Sequence, residues 1–360
     1  MNPHTITKTE RPRRQNRQSR SLFSVGVILI PFLIGIILFI WIVNFIGLKE
    51  IENAFLIFSG FKGLIILILT FLTIIIGLLK WKEILKDEGI NISIKNLFRP
   101  YLAGFSIMYF LPMIFFGGEI FRGYILKKRN SIPFSKGMAS VIIDRISEWT
   151  CSLVLIFFGI LFLLKKIGLP PKDIGLIIGA TFLIFLFGIS FFYFKVFKKQ
   201  SMIKFFLKKI GFKSFNGKNS ILEVEKEIFN FFRPKKKLMW KAFAISFLKV
   251  GIMYFRTIIL IIFLGGKIGN LSALSILGFS YLAIMIPIPT ALGSHEAIQA
   301  FVFNSFGLGF STATAFTMII RGAEIIIAII GIFILFKLGI DLFKKTLYKK
   351  INNFNRRYEI

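Results

Sequence analysis

The chain is poor in the residues that build most enzyme sites. It has one cysteine, Cys151, in an apolar run, which excludes internal disulfides and cysteine-based metal sites. Its only histidines are His4 and His295, and His295 beside a single glutamate is weak evidence for a metal. Neither a Walker phosphate loop nor a Gly-x-Gly-x-x-Gly turn occurs, so ATP-driven work by this chain alone is not expected. No Ser/His/Asp set or His-Glu-x-x-His motif is present either. The expectation is a non-enzyme with no catalytic residues, metal or cofactor. Acidic side chains are scarce as well, 17 against 47 Lys and Arg.

Apolar side chains are abundant. Hydrophobic residues make up 55% of the chain, with 46 Phe in 360 residues and a mean hydropathy of +0.75. No single water-soluble core can hide that much. Uncharged runs at 22–48, 63–79, 174–194 and 268–294 each suffice for a bilayer crossing, since about 20 apolar residues span the ~30 Å hydrocarbon core. The run after the Arg-rich first twenty residues is too long for a signal peptide and reads as the first transmembrane helix.

A net charge of +30 invites a nucleic-acid reading, but the positions of the charges oppose it. Segments 1–20, 80–99, 122–136, 195–241 and 337–360 hold 37 of the 47 Lys and Arg, whereas 47–62, 165–172 and 265–270 hold only six. That asymmetry places the first group in the cytoplasm. The predicted partner is anionic lipid, not nucleic acid, and the predicted location is the cytoplasmic membrane with both termini inside.

This assignment fixes a topology of six spans, at about 22–46, 62–79, 138–164, 174–195, 240–264 and 311–337. Two apolar stretches remain, about 100–126 and 270–308, each obliged to begin and end on one side. Each has a central Pro/Gly break, with Pro112, Gly117 and Gly118 in the first and Pro287, Pro289 and Gly293 in the second. They read as re-entrant hairpins, because non-helical backbone survives at membrane depth only inside protein or beside a wet cavity. Two ordinary spans joined by a loop are the alternative.

The two stretches match in detail. Pro112 precedes Glu119 by seven residues, as Pro289 precedes Glu296. Downstream lie Arg145 and Glu148 in one unit and Arg321 and Glu324 in the other, with Glu119 to Arg145 spaced by 26 residues and Glu296 to Arg321 by 25. Charges are rare in spans, so this points to internal duplication. The topology makes the copies inverted, as in many transporters. The expected fold is therefore an all-α polytopic membrane protein, with six full spans plus two re-entrant helical hairpins arranged as an inverted repeat.

Glu119, Arg122, Asp144, Arg145, Glu148, Lys249, Arg256, His295, Glu296, Arg321 and Glu324 are the candidate substrate-binding or gating residues. Arg145 with Glu148, and Arg321 with Glu324, each share a helix face that should point inward. A purely structural reading pairs Glu119 with Arg145 and Glu296 with Arg321. Lys249 and Arg256 have snorkelling to opposite interfaces as their alternative. For His295 it is an ordinary polar contact, and for Asp144 a place at the cytoplasmic rim. Between spans, the basic loop 199–237 contains SMIKFFLKKIGF, an amphipathic helix suited to anionic lipid. A helical turn around ILEVEKEIFNFF, ended by Arg233-Pro234, is expected after it, with a solvated linker as the alternative.

The combination LPMIFFGGEIFRGYIL, VIIDRISEW, IPIPTALGSHEAIQAF and MIIRGAEI resembles the flippase-like transmembrane region of lysylphosphatidylglycerol synthases and its stand-alone relatives, over about residues 22–340. The resemblance implies a flippase-like domain over 21–340 between basic cytoplasmic tails at 1–20 and 341–360. It also implies handling of polar lipids, anionic or isoprenoid-linked, in a cavity between the hairpins. The soluble aminoacyl-transferase domain of the full synthases does not follow here, which argues against lipid aminoacylation. A non-transporting membrane subunit that supports a lipid-modifying enzyme or glycosyltransferase is the alternative, and an intramembrane enzyme acting through Glu119 and Glu296 a third.

Overall fold

The computed structural model describes residues 60–110, 117–210, 218–234, 236–285 and 294–358. The expected first span at 22–46 and the breaks at Pro112, Pro287, Pro289 and Gly293 lie outside these residues. Among the described residues there are eleven helices and no strand. In chain order they are α1 (Phe61–Asp87), α2 (Ile94–Phe110), α3 (Gly117–Asn130), α4 (Phe134–Ile167), α5 (Lys172–Phe197), α6 (Met202–Ile210), α7 (Lys218–Phe231), α8 (Lys237–Phe263), α9 (Asn270–Met285), α10 (Ser294–Ser305) and α11 (Phe310–Tyr358). The described residues divide into two compact units, the first ending at Ile334 and the second beginning at Leu335. All packing described below is within the first.

Five helices are long and apolar enough to cross a membrane: α1, α4, α5, α8 and the Phe310–Ile340 part of α11. Each coincides with an expected span. α1 and α8 have 27 residues each, or about 40 Å at 1.5 Å per residue. By contrast α2, α3, α9 and α10 have 17, 14, 16 and 12 residues, and none exceeds about 26 Å. They form two pairs of short helices on either side of the breaks.

The short helices pack closely within their pairs. A Cβ on Gly118, in the first turn of α3, would lie 2.3 Å from the Gly104 carbonyl oxygen of α2, so only glycine lets those backbones touch. In the second pair, Gln299 of α10 donates from Nε2 to the Ile276 carbonyl at 3.2 Å and to Ser280 Oγ at 2.7 Å, both on α9. α9 also lies against α4, where Ser275 Oγ donates to the Gly159 carbonyl at 2.9 Å. Small residues and interhelical hydrogen bonds replace the hydrophobic effect as the adhesive between helices in lipid.

Apolar packing covers the interior. Phe279, Phe303, Phe316 and Leu260 join α8, α9, α10 and α11. Leu78, Trp81, Leu97 and Val141 join α1, α2 and α4. α5 is the exception: only 6% of its apolar window is buried. Ile184 and Phe187, both 73% exposed, suit a helix facing lipid.

The basic loop is folded. Glu225 of α7 caps α6, accepting from the Met202 N–H at 2.6 Å, the Ile203 N–H at 3.0 Å and the Ser201 hydroxyl. Phe231 and Phe232 are buried against residues of α4, α5 and α8. α7 is thus a full 14-residue helix rather than a turn, because its aromatic end has a partner surface. α11 continues past 337 to Tyr358. The sequence from Asp341 onward holds four Lys and two Arg and has no proline to stop a helix. Most of the segment expected as a basic tail at 341–360 is helical.

Glu88 follows the end of α1. Burial, with Glu227 nearby, pushes its carboxyl up from the usual 4.5 to about 7. The fold favours the protonated acid, so this group's stabilising contribution is present below about pH 4.5 and is lost as pH rises through about 7. We expect Glu88→Gln to flatten the decline in thermal midpoint of detergent-purified protein between pH 5 and 7. An unchanged pH profile would contradict the assignment.

Candidate functional site

Six helices deliver charged side chains to one region of the bundle. α1 carries Lys80, the first turn of α3 carries Glu119, and α4 carries Asp144, Arg145 and Glu148. α8 carries Lys249 and Arg256, the first turn of α10 carries His295 and Glu296, and α11 carries Arg321 and Glu324. Helical spacing explains the arrangement: Asp144 and Glu148 are four apart, so one cation on α1 can reach both.

Lys80 does so. Its Nζ lies 3.0 Å from Asp144 Oδ1 and 3.2 Å from Glu148 Oε1, and it is 1% exposed. Glu148 also accepts from Lys249 at 2.6 Å and from Arg145 at 3.0 Å. Arg145 Nε reaches Glu119 at 2.8 Å. Arg122 holds Asp144 at 3.1 Å, with its guanidinium carbon 4.1 Å from the Trp81 ring centre and 4.5 Å from that of Tyr101. Stacking on two rings supplies a further cation–π attraction to a charge removed from water.

The second cluster is smaller and looser. Arg321 pairs with Glu296 at 3.0 Å. Arg256 Nη2 stands 3.6 Å from Glu324, and Arg256 Nη1 donates to Thr70 Oγ1 at 3.0 Å. Arg256 Nε and His295 Nδ1 are buried without a hydrogen-bond partner.

A cavity of about 490 Å³ joins the clusters, a size typical of sites for small organic ligands. Glu119, Arg122, Asp144, Arg145, Glu148, Lys249, Arg256, His295, Arg321 and Glu324 all face it, interleaved with apolar Ile74, Phe105, Val250, Leu277 and Ile284. Glu296, paired with Arg321, is not among the lining residues. Gly117 and Gly118 open α3 and position Glu119. Among the described residues no three His, Cys, Asp or Glu come together as metal ligands.

Two alternative readings and one expectation need correction. Asp144 is not at a solvated rim but is 2% exposed between two cations. Lys249 and Arg256 do not snorkel apart, since both line the cavity. Lys80 and Arg122, assigned by position to basic cytoplasmic segments, are 1% and 2% exposed within the bundle. Lys80 was absent from the candidate set, although a signal for it existed: it precedes Glu119 by 39 residues, as Arg256 precedes Glu296 by 40. Thr70 and Ser246 were also missed, each ten residues before the cation of its own helix. Neutral Trp81 and Tyr101 had no distinguishing pattern.

Comparison with known proteins adds kinship. The profile of the family described as the lysylphosphatidylglycerol synthase TM region matches residues 28–331. A UPF0104 membrane protein of Methanocaldococcus jannaschii is 24% identical over 305 residues, covering 81% of this chain and 89% of the relative. A UPF0104 membrane protein of Pyrococcus horikoshii is 25% identical over 266 residues, covering 69% and 78%. No solved structure matches significantly.

Removing one partner of a buried ion pair strands the other, at about 3–5 kcal/mol. Asp144→Ala strands Arg122 and leaves Lys80 with Glu148 alone, whereas the Glu296 side chain is 32% exposed and its loss is cushioned by solvent. We therefore expect Asp144→Ala to lower the thermal midpoint in detergent far more than Glu296→Ala. Equal midpoints would remove Asp144 from the structural hub.

Proposed function

We propose that this chain, which belongs to the family of lysylphosphatidylglycerol synthase transmembrane regions, moves lipids, anionic or isoprenoid-linked, between the leaflets of the cytoplasmic membrane. The observation that carries this reading is the ion-paired cavity, which combines charge for a headgroup with apolar walls for chains. In this reading the chain is a carrier rather than an enzyme.

The transport reading uses an inverted repeat of two units, α1 to α4 and α8 to α11, with each short-helix pair as a re-entrant hairpin. Both units run long helix, two short helices, long helix. Lys80 and Glu148 are 68 residues apart, as are Arg256 and Glu324. Direction is supported by two hydrogen bonds between α1 and α8: Lys80 Nζ donates to Ser246 Oγ at 3.2 Å and Arg256 Nη1 to Thr70 Oγ1 at 3.0 Å. Parallel helices would need registers 20 residues apart to make both contacts, about 30 Å of slip. Antiparallel helices make both in one register. Equivalent helices meeting antiparallel are what inversion requires, and alternating access then follows from rocking one unit against the other.

The basic segments favour cytoplasmic termini and an anionic leaflet surface. The test is lipid movement in proteoliposomes loaded with fluorescent phospholipids or isoprenoid lipids. We expect Glu119→Gln, Glu296→Gln and Arg321→Ala to slow movement at least tenfold while the folded fraction stays constant. Wild-type protein that moves none of these lipids would defeat the reading and favour the alternative, a subunit supporting a lipid-modifying enzyme. Under that alternative, deletion of 199–237 should damage the partner's activity more than Glu296→Gln does.

A further inference from the structure

The chain after α5 turns back along the helix it has just left. α5 ends at Phe197, and the reversal is made by a paired cap in which the Gln200 N–H donates to the Lys195 carbonyl at 3.0 Å and the Lys199 N–H to the Val196 carbonyl at 3.1 Å. This Schellman arrangement needs a left-handed residue just past the helix, where glycine is the usual choice. Here that residue is Lys199, with a φ of 51°. A lysine held in a conformation that suits glycine directs attention to its side chain.

The reversal sets the depth of α6. Phe191 lies six residues before the end of α5, about 9 Å along the axis. Its ring centre is 5.9 Å from that of Phe205 and 6.4 Å from that of Phe206. The stack continues to Phe187 at 6.2 Å, so the aromatic face of α6 extends the lipid-facing surface of α5. Phe205 and Phe206 remain nearly half exposed. An interfacial helix buries its apolar face about 5–10 Å into the boundary between headgroups and acyl chains, which is the depth that Phe191 marks.

Two contacts clamp α6 in that position. Lys195, 8% exposed, lies 4.4 Å over the Phe205 ring and donates to Gln200 Oε1 at 3.0 Å. Glu225 accepts the first N–H groups of α6 from α7, whose aromatic end is seated against α4, α5 and α8. Around the turn, Lys198, Lys199 and Lys204 are all exposed.

We propose that this turn is a contact for anionic lipid at the membrane surface, outside the central cavity. Phe205 and Phe206 enter among the acyl chains, while Lys198, Lys199 and Lys204 meet the phosphates of leaflet lipids. The amphipathic pattern of α6 suits anionic lipid by composition; the fold adds the depth, the clamp and Lys199 as a residue facing headgroups. The occupant is the bilayer rather than a soluble protein, because the aromatic face is continuous with a span that faces lipid. These lipids are neighbours rather than cargo, so the contact stands whether or not the chain transports.

The experiment uses the full chain carrying Phe206→Trp, reconstituted in vesicles that contain brominated phosphatidylglycerol or brominated phosphatidylcholine at equal mole fraction. Quenching of the added tryptophan fluorescence is measured relative to wild type. Both lipids should quench it, phosphatidylglycerol more strongly, with the difference shrinking as salt is raised. A lysine at an anionic surface raises affinity about fivefold, so Lys199→Gly should lower the phosphatidylglycerol preference by up to about that factor. A turn with only a structural role makes a different forecast: glycine suits the left-handed position, so the variant would be as stable as its parent or more so, with its lipid preference intact. Lys204→Gln, at an exposed place on α6, gives the same reading if Lys199→Gly fails to fold. Glu225→Ala should weaken quenching by both lipids, and unchanged quenching would overturn the clamp. The contact itself is overturned if neither lipid quenches, which would leave α6 to a soluble partner, if both quench equally, or if the folded lysine variants keep the wild-type preference.

Discussion

Everything in this bundle depends on the Glu148 carboxylate, which accepts Lys80, Arg145 and Lys249 from three different helices. A charge in an apolar interior is tolerable only when paired and hydrogen-bonded. Each of these groups is tolerated because the others are present. The network therefore fixes the relative positions of α1, α3, α4 and α8 more stringently than apolar packing can, since lipid competes with helices for apolar contact but cannot satisfy a lysine. Arg122 extends the lock through Asp144 and its two aromatic faces.

The membrane class and the long helices were readable from composition and run length, because a span has one requirement that sequence states directly. The charged residues of the site were readable for the same reason: an arginine in VIIDRISEW has few places to be except inside. Reading failed where that logic blurs. Lys80 is followed by WKEILKDE, so it looked like the first residue of a cytoplasmic stretch, whereas helix α1 continues to Asp87 and carries it within the bundle. Arg122 was both a site candidate and a member of a basic segment, and burial at 2% decides for the site.

Neutral partners were harder to see than charges. Trp81 and Tyr101 are two among many aromatics in the chain, and nothing in their spacing separates a cation-stacking ring from a packing one. Thr70 and Ser246 are ordinary span hydroxyls until the cation each accepts is known. The loop 199–237 was half readable: the amphipathic stripe of α6 was visible, but Glu225 as its cap depends on a fold-back that no local pattern announces.

The asymmetry between the clusters bears on how a rocking carrier of this kind would move. Lys249 belongs to α8 yet pairs with Glu148 of α4, and Arg256 lies two turns further along the same helix beside Glu324. Under the proposed transport reading, rocking α1 to α4 against α8 to α11 would shift the Lys249–Glu148 pair. Breaking a buried pair outright costs about 3–5 kcal/mol, whereas exchanging one carboxylate for another costs only the difference between two partners. A motion in which cations pass between carboxylates already in place is the cheaper route.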